Sequence, residues 1–182
     1  RLYFNQSGKI RVFLKMNTIP MERFSYRRQT IAASIHPSLA ALLVDLAKPY
    51  LKKRARILDP CCGVGTMLIE RHKVVPAREI YAIDIFGEAA EKARYNVKKA
   101  GIRMNVIQKD FFEFTHGNLF DEIISNMPLR GKRSKEEQDL FYQKFFDKSE
   151  GLLVEDGIMV LYSNENGFIK KQLRLHPCFQ LY

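Results

Sequence analysis

The 182-residue chain is 46% hydrophobic and 27% charged, enough apolar content for one domain with its own core, and it has no run long enough to cross a bilayer. Lys and Arg total 30 against 20 Asp and Glu, and the resulting net charge of +10 points to a polyanionic partner, although a solvated basic surface would give the same count. Three cysteines, the neighbours Cys61 and Cys62 and the distant Cys178, exclude a disulfide framework, and without a Cys-x-x-Cys pair or a His cluster no metal site is expected.

Free thiols suit a reducing compartment, so a cytoplasmic protein is expected. No signal-peptide pattern is present at the start. Because the chain opens at Arg1 rather than Met, it is expected to be a piece of a longer one. Residues 1–30 then read as a hairpin and linker, and 31–182 as one catalytic domain.

Leu2 to Phe4, the turn at Gln6-Ser7-Gly8, and the alternation of Ile10, Val12 and Leu14 up to Lys15 predict a hairpin with a half-buried second strand. Residues 17–29 show no clear period and carry Arg23, Arg27 and Arg28. Pro37 opens a helix whose Leu39, Leu42, Leu43, Leu46 and Ala47 share a face, and Pro49 ends it.

From there strand and helix alternate. Strand 57–60 leads to a helix over 66–74, and strand 80–84 to a helix over 87–100 that Gly101 closes. Strand 105–109 leads to a short turn, strand 120–126 to a helix over 136–153, and 157–163 is the last strand. This alternation predicts an α/β fold with a mostly parallel, doubly wound sheet. On the helix over 136–153, Phe141, Tyr142, Phe145 and Phe146 are spaced for core packing rather than for a base-stacking patch.

Residues 57–70 read Ile-Leu-Asp-Pro-Cys-Cys-Gly-Val-Gly-Thr-Met-Leu-Ile-Glu, which is a strand, a tight loop and a helix. Glycine suits such a loop because no Cβ keeps the backbone from a ligand. Asp59 argues against a phosphate cradle, and no Gly-Lys-Ser/Thr follows, so a cofactor with a cationic group fits better. The next strand ends in Asp84, placed as an acceptor for a ribose diol. The third ends in Asp110, before Phe111 and Phe112, and the fourth in Asn126, before Met127, Pro128 and Leu129. Taken singly, Asp84 or Asp110 is ordinary strand-end polarity, Asn126 is a turn cap, and Cys62 is a small packing residue. Together, four strand tips with polar groups at one sheet edge define a binding site.

This set resembles the S-adenosylmethionine-dependent RNA methyltransferases of Rossmann-like fold. More narrowly, Asp-Pro-x-Cys-Gly-x-Gly-Thr is similar to the THUMP-associated guanine-N2 methyltransferases of the UPF0020 type, and residues 33–41 resemble the segment leading into that fold. The resemblance runs from about residue 23 to 163. It implies S-adenosyl-L-methionine as cofactor, tRNA or rRNA as substrate, an N-terminal THUMP domain in the full-length chain, and a C-terminal antiparallel hairpin that is incomplete here, since the chain stops at Tyr182.

The resemblance also assigns roles. Ser34, Ile35 and His36 would cover the methionine end of the cofactor, and Asp59 would hold its ammonium. Backbone from Pro60, Cys61, Cys62, Gly63 and Gly65 would wrap the same portion, with Thr66 capping the following helix. Asp84 would accept from the ribose and Ile85 would pack on adenine. Asp110 would accept from the adenine amine, and the Phe111 N–H would donate to the ring. Asn126 and the Met127 carbonyl would accept from the exocyclic amine of a base, Pro128 stiffening the turn. Leu129 stands where an aromatic residue would stack on the extruded base. Arg130, Lys132, Arg133 and Lys135, extended by Arg27 and Arg28, would grip flanking phosphates, although a solvated loop accounts for the run as well. Two rivals stay open: an amino-methyltransferase acting on DNA adenine or protein glutamine, and a cofactor- and RNA-binding module without turnover.

Overall fold

The computed structural model describes residues 2–4, 7–12 and 22–182. Strands β1 (Leu2–Phe4) and β2 (Ile10–Val12) pair antiparallel, Leu2 opposite Val12 and Phe4 opposite Ile10. Ile10 and Val12 are 56% and 72% exposed, not half-buried as expected, because a two-stranded ribbon alone offers no second layer to cover them. Leu14 and the expected end of that strand at Lys15 lie outside the described residues.

The main sheet is built from β3 (Arg56–Asp59), β4 (Glu79–Asp84), β5 (Asn105–Gln108), β6 (Phe120–Asn126) and β7 (Leu153–Tyr162). All pairings are parallel, in the order β5-β4-β3-β6-β7. Helices α1 (Pro37–Ala47), α2 (Thr66–Val74), α3 (Gly87–Ala100), α4 (Lys135–Glu150) and α5 (Asn166–Leu175) complete the domain. A parallel sheet covered on both faces needs strands that are apolar throughout, and β3 supplies Ile57 and Leu58 to opposite sides. Leu58, Ile83 and Ile123 pack with Tyr142, Phe145 and Phe146 of α4. Ile57, Ile80 and Ile124 pack with Val44 of α1, Leu68 of α2 and Ala93 of α3. Among the described residues no helix is long and apolar enough to cross a membrane.

Three polar anchors that the apolar pattern does not reveal hold the layers together. Arg71 and Glu122 are fully buried and bidentate, with Nε–Oε2 and Nη2–Oε1 both at 2.6 Å, and so tie α2 to β6. The Lys52 backbone closes this pair by donating to Glu122 Oε1 at 2.8 Å and accepting from Arg71 Nη2 at 2.9 Å. Glu70 accepts from Tyr26 Oη at 2.7 Å and from Arg23 at 3.3 Å, docking the segment before α1 onto α2. Asn96 of α3 accepts from the Arg28 and Gln29 N–H groups and donates to the Gln29 and Val64 carbonyls, filling its hydrogen-bonding capacity.

Two expectations at the C-terminal end are corrected. α4 stops at Glu150, and β7 begins at Leu153 rather than at 157. The pairing of β6 with β7 jumps from Phe120–Leu153 to Glu122–Ile158, so the chain bulges before Gly157. A Cβ at Gly157 would lie 2.8 Å from the Val154 carbonyl oxygen, which is why glycine stands there. No strand follows β7 among the described residues; instead α5, which was not anticipated, lays Phe168, Ile169 and Leu173 against the α4 side of the core.

Candidate active site

Connections leave β3 toward one edge of the sheet and β6 toward the other, so the chain parts between these neighbours at their carboxyl ends. That switch point is where open α/β sheets form a crevice. A cavity of about 450 Å³ opens there, within the range of ligand sites. Its wall contains Ser34, Ile35, Asp59, Pro60, Cys61, Cys62, Gly63, Thr66, Asp84, Ile85, Asp110, Phe111, Asn126, Met127, Pro128, Leu129 and Arg133. Residues from five separate stretches of sequence are thus brought together as the strand tips implied.

Asp59, buried at the end of β3, receives the Ser125 hydroxyl at 2.7 Å and the Cys61 N–H at 3.0 Å, both on Oδ1. Oδ2 has no hydrogen-bond partner among the described residues and is available to a donor in the cavity. Burial pushes the Asp59 carboxyl up to about 7; the two hydrogen bonds oppose this, and nearby Asp84 adds to it. Asp84 accepts from the Gly63 N–H at 2.8 Å on Oδ2 and from the Phe86 N–H at 2.9 Å on Oδ1, joining the glycine loop to the tip of β4. Burial raises its carboxyl as well, against those two bonds. Asp110 caps a 3-10 turn over Phe111–Glu113 through the Phe112 N–H at 2.9 Å. The first amide of that turn, Phe111, has no partner within it.

Ile85 and Phe86 are 55% and 70% exposed beside Asp84, a hydrophobic ledge at the cavity. Burial and the charges of Asp59 and Asp84 push the Cys61 and Cys62 thiols up, so neither is a thiolate nucleophile.

Asn126 ends β6 with its side chain half-buried in the cavity wall and unbonded to any described residue. The next residue is fixed: the Met127 N–H donates to the Tyr162 carbonyl at 2.9 Å and its side chain is buried. Leu129 is 61% exposed. Arg133 returns to this loop, donating from Nη2 to the Leu129 carbonyl at 3.0 Å and from Nε to the Arg130 carbonyl at 3.3 Å. Its guanidinium lies over the ring of Phe141, 4.7 Å from the centroid. α4 then starts with a reciprocal cap between Ser134 and Glu137.

Several assigned roles are corrected. His36 is outside the cavity: its exposed ring contacts Ser38 Oγ at 2.6 Å and caps α1. Gly65 also lies outside it; at φ +82° it turns the loop into α2, and a Cβ there would approach Ala93 of α3 at 3.7 Å. Thr66 does not cap α2, because Gly65 occupies the cap position. Its buried Oγ1, in the cavity wall, has no hydrogen-bond partner among the described residues. Arg27 is committed to the Ile35 carbonyl at 3.0 Å, bracing the segment over the cavity rather than reaching for phosphate. Arg130, Lys132 and Lys135 are exposed and do not line the cavity. Phe112 and Phe141 also belong to the cavity wall, and a helical period that assigns Phe141 to the core passes over them.

A family model described as RMKL-like, methyltransferase domain (UPF0020) matches residues 25–180. The chain belongs to this family. Among its relatives, the tRNA (guanine(10)-N2)-dimethyltransferase of Methanothermobacter thermautotrophicus is 29% identical over 131 residues, 70% of this chain and 38% of that protein. The U6 snRNA (guanine-N(2))-methyltransferase THUMPD2 of Bos taurus is 29% identical over 137 residues, 74% of this chain and 26% of that one. The ribosomal protein L11 methyltransferase of Thermotoga neapolitana is 33% identical over 93 residues, 51% of this chain and 34% of that one. The crystal structure of TrmN from Thermus thermophilus superposes with a TM-score of 0.66 at 26% identity, covering 82% of this chain and 44% of TrmN. The UPF0020 domain here thus spans about a third of the curated relatives named above.

The cavity of this UPF0020 domain fits S-adenosylmethionine. Asp59 Oδ2 would accept from the ammonium. The Thr66 hydroxyl and the amides that open α2 would donate to the carboxylate. Asp84 would accept from the ribose hydroxyls. Ile85, Asp110 and the Phe111 amide would offer adenine an apolar face, an acceptor and a donor.

Proposed function

We propose that this domain transfers a methyl group from S-adenosylmethionine to N2 of a guanine in RNA. The observation that carries this reading is the free Asn126 side chain, ahead of the anchored Met127 and Pro128, in the same cavity as the acidic strand tips. When bound, the cofactor supplies an electrophilic methyl group, so the protein's task is chiefly to position the acceptor. The exocyclic amine of guanine is a poor nucleophile because its lone pair is delocalised into the ring. Asn126 Oδ1 and the Met127 carbonyl would accept its two N–H bonds and draw electron density back to nitrogen. Pro128 limits the freedom of the turn that holds both acceptors.

The same acceptors would suit a glutamine amide, and one relative named above acts on a ribosomal protein. Two features favour RNA. The relatives named for guanine-N2 act on tRNA and U6 snRNA and align over 70% and 74% of this chain, against 51% for the L11 enzyme. The net charge is +10, with Arg130, Lys132 and Lys135 exposed directly after the Asn126 loop. An extruded base would enter the cavity while these cations meet the flanking phosphates. The reading includes a THUMP-type domain elsewhere in the full-length protein to grasp the RNA. It also places the protein in the cytoplasm, where the free thiols stay reduced.

The test is methyl incorporation from labelled cofactor into unmodified tRNA, rRNA and U6 transcripts, with Asn126→Ala as comparison. The variant should lose about 100- to 1000-fold in kcat, with cofactor affinity within about threefold of wild type. Transfer to protein alone, or an unimpaired variant, would contradict the proposal.

A further inference from the structure

Leu129 leaves the Asn126 loop without the aromatic residue that its position calls for, yet the lining of the same cavity includes one. On α4, Tyr142, Phe145 and Phe146 are at most 1% exposed, while Phe141 is only half-buried and lines the cavity with Asn126, Pro128 and Leu129. Its ring is held before any ligand arrives: Phe112 meets it edge-on at 5.6 Å, and Phe145 packs behind it at 6.2 Å. The Arg133 guanidinium, a planar cation, sits 4.7 Å from its centroid, tethered to the Leu129 carbonyl. Aromatic faces that accept a guanidinium in this way also accept nucleobases. Phe86, a more exposed ring at the cavity, follows Asp84 at the end of β4, which β3 separates from β6 and Asn126.

We propose that Phe141 is the platform on which the extruded guanine stacks, in place of an aromatic at position 129, and that Arg133 covers this ring until the base arrives. This rests on the base-methylating reading above. The guanidinium is too close to the ring to admit a base between them, so base and Arg133 exchange places on Phe141. Arg133 is half-buried and hydrogen-bonded within its own loop, so its movement is confined to the stretch between Leu129 and α4.

The experiment compares Phe141→Leu, Phe141→Trp and the double variant Phe141→Leu/Leu129→Phe with wild type. Steady-state kinetics would use an unmodified RNA transcript that the wild type methylates. S-adenosylhomocysteine affinity by calorimetry and melting temperature would be measured on the same samples. Phe141→Leu should lower kcat/KM about 5- to 150-fold, as expected for loss of one base–aromatic stack, with cofactor affinity unchanged. Phe141→Trp should stay within about threefold of wild type, and Leu129→Phe should restore most of the loss. A folded Phe141→Leu protein with wild-type kcat/KM would overturn the assignment, as would equal losses in the Leu and Trp variants or a loss that follows cofactor affinity. If the wild type methylates no RNA, the base-methylating reading fails and this inference with it; an active wild type with an indifferent Phe141→Leu variant removes this inference alone.

Discussion

Asp59, which we propose holds the cofactor's ammonium, works against the fold that contains it. Its carboxyl, ordinarily near 3.8, is lifted to about 7 by burial, so ionising it without a cationic partner costs folding stability of order 2–4 kcal/mol. The sign follows from the raised value: the folded state holds this proton more tightly than the unfolded chain. Its contribution therefore favours folding most below the unfolded value and is lost as pH rises through 7. Asn at this position keeps an Oδ1 acceptor for Ser125 and Cys61 without the charge. Asp59→Asn should therefore melt higher than wild type at pH 8 and gain little at pH 5, as scanning calorimetry would show. Cofactor affinity should behave oppositely: wild-type binding strengthens from pH 6 to pH 8 as the ammonium gains a charged partner, whereas the variant binds weakly at both. A variant with no stability gain at pH 8, or wild-type binding indifferent to pH, would remove Asp59 from the ammonium site. The place of Asp59 was legible in the sequence because a strand, a carboxylate and a glycine loop follow one another. Its shared bond with Ser125 was not, because that depends on β6 lying beside β3.

At the scale of elements, the alternating apolar runs marked every strand of the main sheet, since parallel strands covered on both faces leave near-continuous hydrophobic signatures. Boundaries failed where apolar content did not change. Leu153 read as the end of a helix although it opens β7, and α5 starts at a Glu165 N-cap that makes no side-chain cap bond. The buried Arg71–Glu122 pair was illegible for a different reason: charges at residues 71 and 122 look like ordinary surface polarity until the fold places them together. Breaking a buried pair on one side strands a charge, so Arg71→Met should cost about 3–5 kcal/mol in urea unfolding. Arg71→Met with Glu122→Leu should recover most of that loss, because no uncompensated charge remains. A near-neutral single variant would mean that α2 is held to β6 by packing alone.

Across the whole molecule, the acidic strand tips that line the cavity were more legible in the sequence than the rest of its lining. The acidic tips follow a regular order along the chain, one per strand. The lining around the Asn126 loop instead combines it with Arg133, Phe112 and Phe141, whose meeting depends on how α4 packs over the sheet. Cations assigned to RNA divided likewise: Arg27 serves the Ile35 carbonyl and Arg133 the Leu129 carbonyl, while Arg130, Lys132 and Lys135 are exposed.

The most direct test is nucleoside mass spectrometry of unmodified RNA after incubation with S-adenosylmethionine carrying a deuterated methyl group. Labelled N2-methylguanosine should appear with the wild type and be absent with Asn126→Ala. Label in another nucleoside, label on protein only, or equal label with both proteins would contradict the account.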